Sequence, residues 1–146
     1  MKKIALTFIA CWAALQLNAA EPQWLTDFPA AQAKAKTEKK LLLMDFTGSD
    51  WCPPCKALKR DIFSSPEFEA FAKTNLVLVE VDFPRRKELE KSQAEANDKL
   101  QSKFNIEGFP TVIVFDANGK QLSRETGYGG ANAKDYVAKL QKLKGK

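Results

Sequence analysis

Leu41-Leu42-Leu43-Met44-Asp45-Phe46-Thr47-Gly48-Ser49-Asp50-Trp51-Cys52-Pro53-Pro54-Cys55-Lys56 holds the features that decide both fold and chemistry. Its first six residues are a compact apolar run, read as a buried strand, with a helix left open by periodicity alone. Thr47 to Asp50 closes the run as a loop, and the composition from Pro53 to about Phe63 is helical. The two cysteines therefore sit where the carboxyl end of a strand gives way to a helix, the edge at which ligands collect in open α/β sheets. Cys52 takes the helix N-cap. Its sulfur there faces the positive end of the macrodipole and unpaired backbone N–H groups, both of which favour thiolate over thiol, so Cys52 is the expected nucleophile. Cys55 lies one turn inside the same helix and is expected to be the more buried. Three-residue spacing puts its sulfur on the same face, where it can attack a mixed disulfide as the resolving thiol.

Outward from this segment, 146 residues with 45% hydrophobic content are enough for a single packed domain. The first twenty residues read differently. Lys2 and Lys3 precede an apolar stretch from Ile4 to Leu17 that runs into Asn18-Ala19-Ala20, the profile of a signal peptide over residues 1–20 ahead of a domain over 21–146. Thr7 and Gln16 interrupt the apolar run, which is short of the ~20 residues that span a bilayer. Export to the periplasm or cell envelope is the expectation, with a retained membrane anchor or lipidation at Cys11 as the other readings. Loss of Lys2 and Lys3 leaves 21 basic and 18 acidic residues, a formal charge of +3. These charges are interspersed along the chain, without the concentrated basic stripe that nucleic-acid binding needs.

Cleavage also removes Cys11, so Cys52 and Cys55 remain as an isolated pair. A loop this short constrains the unfolded chain little, and the pair reads as chemistry and not as a staple. A closed zinc site needs four Cys or His ligands, and the chain has no histidine and, once residues 1–20 are removed, no further cysteine. Neither a metal nor a cofactor is expected beyond a redox-active Cys52–Cys55 disulfide.

Elsewhere the pattern predicts a helix from Trp24 to Lys40, capped by Thr26 or Asp27 with Pro29 in its first turn, and a fresh helix started by Ser64 through a capping box with Glu67. Leu76 to Asp82 reads as a strand and Arg85 to Phe104 as a long, mostly solvated helix. Thr111 to Phe115, the turn residues Asp116 to Lys120, and Gln121 to Thr126 read as a hairpin. Gly127 to Gly130 break the chain before a helix from Ala131 to Leu143. The order is α-β-α-β-α-β-β-α. Strand-helix-strand crossovers predict parallel pairs and the hairpin an antiparallel one, giving an α/β fold with a mixed four-stranded sheet and helices on both faces.

Trp51-Cys52-Pro53-Pro54-Cys55-Lys56, after an apolar strand ending in Asp45-Phe46, resembles the thioredoxin superfamily, and the likeness covers roughly residues 24 to 143. It implies that Phe109-Pro110-Thr111 is the family's cis-proline loop facing the cysteines, that Gly127 is the family's glycine after the last strand, and that Trp51, Pro53, Pro54, Phe109 and Pro110 contact substrate. Gly48-Ser49-Asp50-Trp51-Cys52 and the charged insertion after the second strand look closest to exported proteins related to the C-terminal domain of the reductase DsbD. The resemblance implies a thiol:disulfide oxidoreductase acting on protein disulfides or thiols and supplied by a membrane electron donor. A disulfide oxidase or isomerase and a non-catalytic thioredoxin-fold binding module are the other readings. No dimerisation segment is evident, so a monomer is expected.

Two departures qualify the likeness. Asp45 lies seven residues before Cys52, where the family's buried proton-shuttling aspartate lies six before; Asp45 is thus a candidate for proton transfer, with a solvated or hydrogen-bonded structural carboxylate as the alternative. Lys59 stands where DsbD-type domains carry a glutamate. Pro53 and Pro54 have no N–H, which leaves the Cys55 N–H as the main local donor to a Cys52 thiolate. Fewer donors mean a less stabilised thiolate, and the pair is expected to be reducing or intermediate in poise.

Overall fold

The computed structural model describes residues 21–145, so the signal-peptide reading of residues 1–20 lies outside the described residues. Five strands form one sheet in the order β1-β3-β2-β4-β5: β1 Trp24–Leu25, β2 Leu41–Thr47, β3 Leu76–Asp82, β4 Thr111–Phe115 and β5 Gln121–Thr126. The helices are α1 Phe28–Glu38, α2 Pro53–Leu58, α3 Pro66–Asn75, α4 Lys91–Lys103 and α5 Ala133–Lys144, and a π-helical turn at Lys59–Phe63 extends α2. The mixed α/β class matches the expectation.

Four details differ from it. The sheet has a fifth strand, because Trp24 and Leu25 pair parallel with Leu78 and Val79 and do not begin a helix. Helix α1 starts only after Asp27, whose carboxylate accepts the Ala30 N–H at 2.9 Å, with Pro29 tolerated in the first turn. The cap of α3 is Ser65 and not Ser64: its hydroxyl accepts the Phe68 N–H at 3.2 Å, and Ser64 instead closes the π turn by donating its N–H to the Lys59 carbonyl at 2.8 Å. Finally, α4 begins at Lys91, the preceding residues being held as a loop described below.

Strand β2 is the centre of the sheet, parallel to β3 and antiparallel to β4, which pairs antiparallel with β5. β1, β2 and β3 therefore run parallel, and the crossover through α4, expected to be parallel as well, instead reverses the chain before β4. All seven residues of β2 are buried, which explains its unbroken apolar run. Leu42, Met44 and Phe46 point into a core with Phe28, Ala31 and Ala35 of α1, packed by Leu100 and Phe104. Leu41 and Leu43 point the other way, into a core with Ile62, Phe63, Phe68, Tyr136 and Leu140 from the π turn, α3 and α5. By the two-residue alternation of a strand, Asp45 faces that second layer, the one that carries α2.

Candidate active site

Cys52 caps α2 from an extended conformation (φ −91°, ψ 106°), with Pro53 and Pro54 in the first turn. Its sulfur accepts the Cys55 N–H at 3.3 Å, the one donor that the prolines leave in place. Cys52 and Cys55 are joined as a disulfide with Cα atoms 5.3 Å apart. Cys55 is not the more buried of the two: Cys52 is 2% exposed and Cys55 4%. In the disulfide each sulfur covers part of the other, and the difference expected of free thiols disappears.

The loop before Cys52 is fixed by a turn and by a second loop, residues 83–90. Trp51 and Cys52 both donate their N–H groups to the Gly48 carbonyl, at 3.2 and 2.9 Å. The Trp51 indole N–H donates to the Phe83 carbonyl at 2.7 Å, and the Arg85 guanidinium lies 3.7 Å above the indole ring. The Asp50 carboxylate accepts the backbone N–H groups of Arg85 at 3.0 Å and Arg86 at 2.7 Å, and these bonds hold its carboxyl below the usual range. At the end of β3 the buried Asp82 accepts from the Ser49 N–H at 2.9 Å and the Ser49 hydroxyl at 2.6 Å, and pairs with Lys87 at 3.3 Å. Asp82, Phe83 and Arg85 carry no functional signal of their own in the sequence, and Ser49 and Asp50 stand out there only as part of the family-like Gly48–Cys52 segment. Their contacts join positions more than thirty residues apart and leave no periodicity; the only hint was an acid ending a buried strand at the sheet's carboxyl edge.

The Phe109–Pro110 bond is cis. Phe109 packs edge-on to Trp51, with centroids 5.9 Å apart, and against Phe83 at 5.3 Å, which brings the cis-proline loop beside the dithiol. Gly127, at φ +83°, donates its N–H to the Pro110 carbonyl at 2.7 Å and ties this loop to the end of β5.

Below the disulfide a cavity of about 240 Å³ is lined by Asp45, Thr47, Cys55, Lys59, Phe63 and Glu80, among others. Asp45 is 6% exposed, and its Oδ1 is buried with no hydrogen-bond partner. Burial pushes its carboxyl up to about 8, Glu80 opposite it on β3 adds to the rise, and Lys59 opposes it. Lys59 opens the π turn, a feature that often marks functional segments of helices. Among the described residues no cluster of Cys, Asp and Glu could hold a metal ion.

Residues 28–144 match the model of a thioredoxin-like domain. The chain belongs to the thioredoxin-like family. The disulfide bond reductase DsbH of Chlamydia pneumoniae is 38% identical over 128 residues, which cover 86% of this chain and 74% of the relative. The thiol:disulfide interchange protein DsbD of Tatumella citrea is 30% identical over 116 residues, 77% of this chain but 18% of that longer protein. A solved DsbH oxidoreductase superposes with a TM-score of 0.78 at 32% identity, covering 99% of this chain and 94% of that one. With these relatives and a Cys52–Cys55 disulfide at a helix N-terminus, this thioredoxin-like protein is a thiol:disulfide oxidoreductase.

Proposed function

We propose that the protein reduces disulfides of exported polypeptides, with Cys52 as nucleophile, Cys55 as resolving thiol and Asp45 as proton relay. In the dithiol form the Cys52 thiolate attacks one sulfur of the substrate disulfide. A mixed disulfide forms, and the other substrate sulfur leaves as a thiolate that takes a proton. Cys55 then loses its proton and attacks the Cys52 sulfur, so that the second substrate thiolate leaves and the Cys52–Cys55 disulfide closes. Two electrons pass to the substrate, and each further turnover needs a two-electron donor, for which a membrane reductase is the partner we infer. Trp51, Pro53, Pro54, Phe109 and Pro110 line the approach to Cys52. Asp45 suits the relay because it shares a cavity with Cys55 and its carboxyl, at about 8, can both hold and release a proton near neutral pH. Export rests on the composition of residues 1–20, and a monomer on the lack of any evident dimerisation segment.

The observation that carries the reductive direction is the single Cys55 N–H donated to Cys52. A stable thiolate makes a dithiol oxidising, and here the two prolines withhold the other donors. Titration of the purified protein against glutathione should place its potential nearer the ~ −270 mV of thioredoxin than the ~ −120 mV of DsbA. A value at the DsbA end would reverse the assignment in favour of an oxidase.

A further inference from the structure

Lys56, Arg85 and Arg86 stand on the helix and loop that border the dithiol, and all three side chains are exposed. Among the described residues none of them forms an ion pair. The Lys56 ammonium donates to the Asp50 backbone carbonyl at 3.0 Å, and the Arg85 guanidinium lies over Trp51. Asp50, the carboxylate between them, turns its oxygens to backbone N–H groups, while Asp82 is taken by Ser49 and Lys87. Glu88 lines a cavity with Asn97 and Asp98 of α4 that Arg85 also lines, and it pairs with none of the three cations. The rim nearest Cys52 is therefore net positive, although positive charge elsewhere is interspersed with negative. It is also held in place: two N–H bonds to Asp50, the Trp51–Phe83 bond and the cation–π stack fix residues 83–86 against the residue that precedes the nucleophile.

We propose that Lys56, Arg85 and Arg86 form a docking rim that selects polypeptide disulfides flanked by acidic residues. Carboxylates beside the scissile disulfide meet the guanidinium groups while the chain lies along the Phe109–Pro110 edge, and the attraction raises the encounter rate more than the final affinity. This rests on the reductase reading and names its substrate class.

The test uses two peptides of equal length, each closed by one disulfide, one with Asp and Glu and the other with Lys and Arg beside its cysteines. Hydroxyethyl disulfide serves as an uncharged third substrate. The pre-reduced protein, giving up its two electrons in a single turnover, should reduce the acidic peptide with a second-order rate constant roughly tenfold above that for the basic one at low salt, and the ratio should fall towards one at about 1 M salt. Arg86→Glu, whose side chain takes no part in the Trp51 stack, should lower the ratio several-fold, and Arg85→Glu combined with it should invert the preference. Taking the ratio within each variant cancels changes in thiol chemistry. Equal rates for the two peptides in the wild type, or a ratio untouched by Arg86→Glu, would overturn the rim while leaving the reductase standing. Reduction of none of the three substrates would overturn the reductase reading and the rim with it.

Discussion

Asp45 sits in the layer of the core that Leu41, Leu43, Phe63 and Phe68 fill with carbon, and its carboxyl is raised by burial to about 8. An ordinary aspartate titrates near ~3.9, so between about pH 4 and about pH 8 the folded chain holds a proton that the unfolded chain has lost. The stability associated with that proton is complete below the unfolded value and drains away as pH rises, by up to ~1.4 kcal/mol per pH unit. Asp45→Asn should remove this slope. Urea unfolding of the oxidised proteins should show the variant gaining on the wild type from about pH 5 upward and levelling off above about pH 8, whereas parallel curves would mean that Asp45 is ionised throughout. Gly48 offers a second test. A Cβ there would come within 2.5–2.7 Å of the Trp51 indole, which its bond to Phe83 and the Arg85 stack prevent from moving aside. Gly48→Ala should cost about 1–3 kcal/mol in the same assay, and no loss would show that Trp51 is free to swing. Both cysteines could be read directly, because their spacing is the chemistry. A buried acid on a strand is legible as an oddity, but its missing partner is not, since Glu80 and Lys59 come from other elements.

Among the elements, α2 and the loop of residues 83–90 behave as one unit. Asp50 links them through the N–H groups of Arg85 and Arg86. Asp50→Ala should leave the sheet intact and speed hydrogen exchange at the Arg85 and Arg86 amides, with β2 amides unchanged; protected amides in the variant would show that the Trp51 contacts hold the loop alone. Strands β2 to β5 were legible because each is a buried or alternating run bounded by turn residues. Strand β1 was not, since two residues carry no periodicity and Trp24-Leu25 reads equally well as the start of a helix. The stretch from Arg85 to Leu89 has helical composition, yet Pro84 and the Asp50 bonds hold it as a bent loop between β3 and α4, a tertiary constraint that overrides local propensity. Ser64 and Ser65 are adjacent and equally good caps in composition; the π turn, which needs Ser64 to reach Lys59, decides between them.

In the molecule as a whole, helices cover both faces of one sheet and the dithiol stands at its carboxyl edge, beside the aromatic wall of Trp51, Phe83 and Phe109. Alternation of elements was enough to give the mixed α/β class. The reversal before β4 was hidden, because the connection from Asp82 to Thr111 holds α4 with a loop at either end and has the slack to return in either direction. What this architecture does is leave one sulfur with a single N–H donor at the helix tip and set the other in a cavity shared with the buried Asp45 carboxyl. Division of labour between the two is the central claim, and trapping tests it most directly. Cys55→Ala and Cys52→Ala are each reduced, mixed with a peptide disulfide and examined by mass spectrometry without further reductant. The account predicts a lasting mixed disulfide on Cys52 in the Cys55→Ala protein and little or none in the Cys52→Ala protein. Adducts of equal yield on both, or on Cys55 alone, would contradict it.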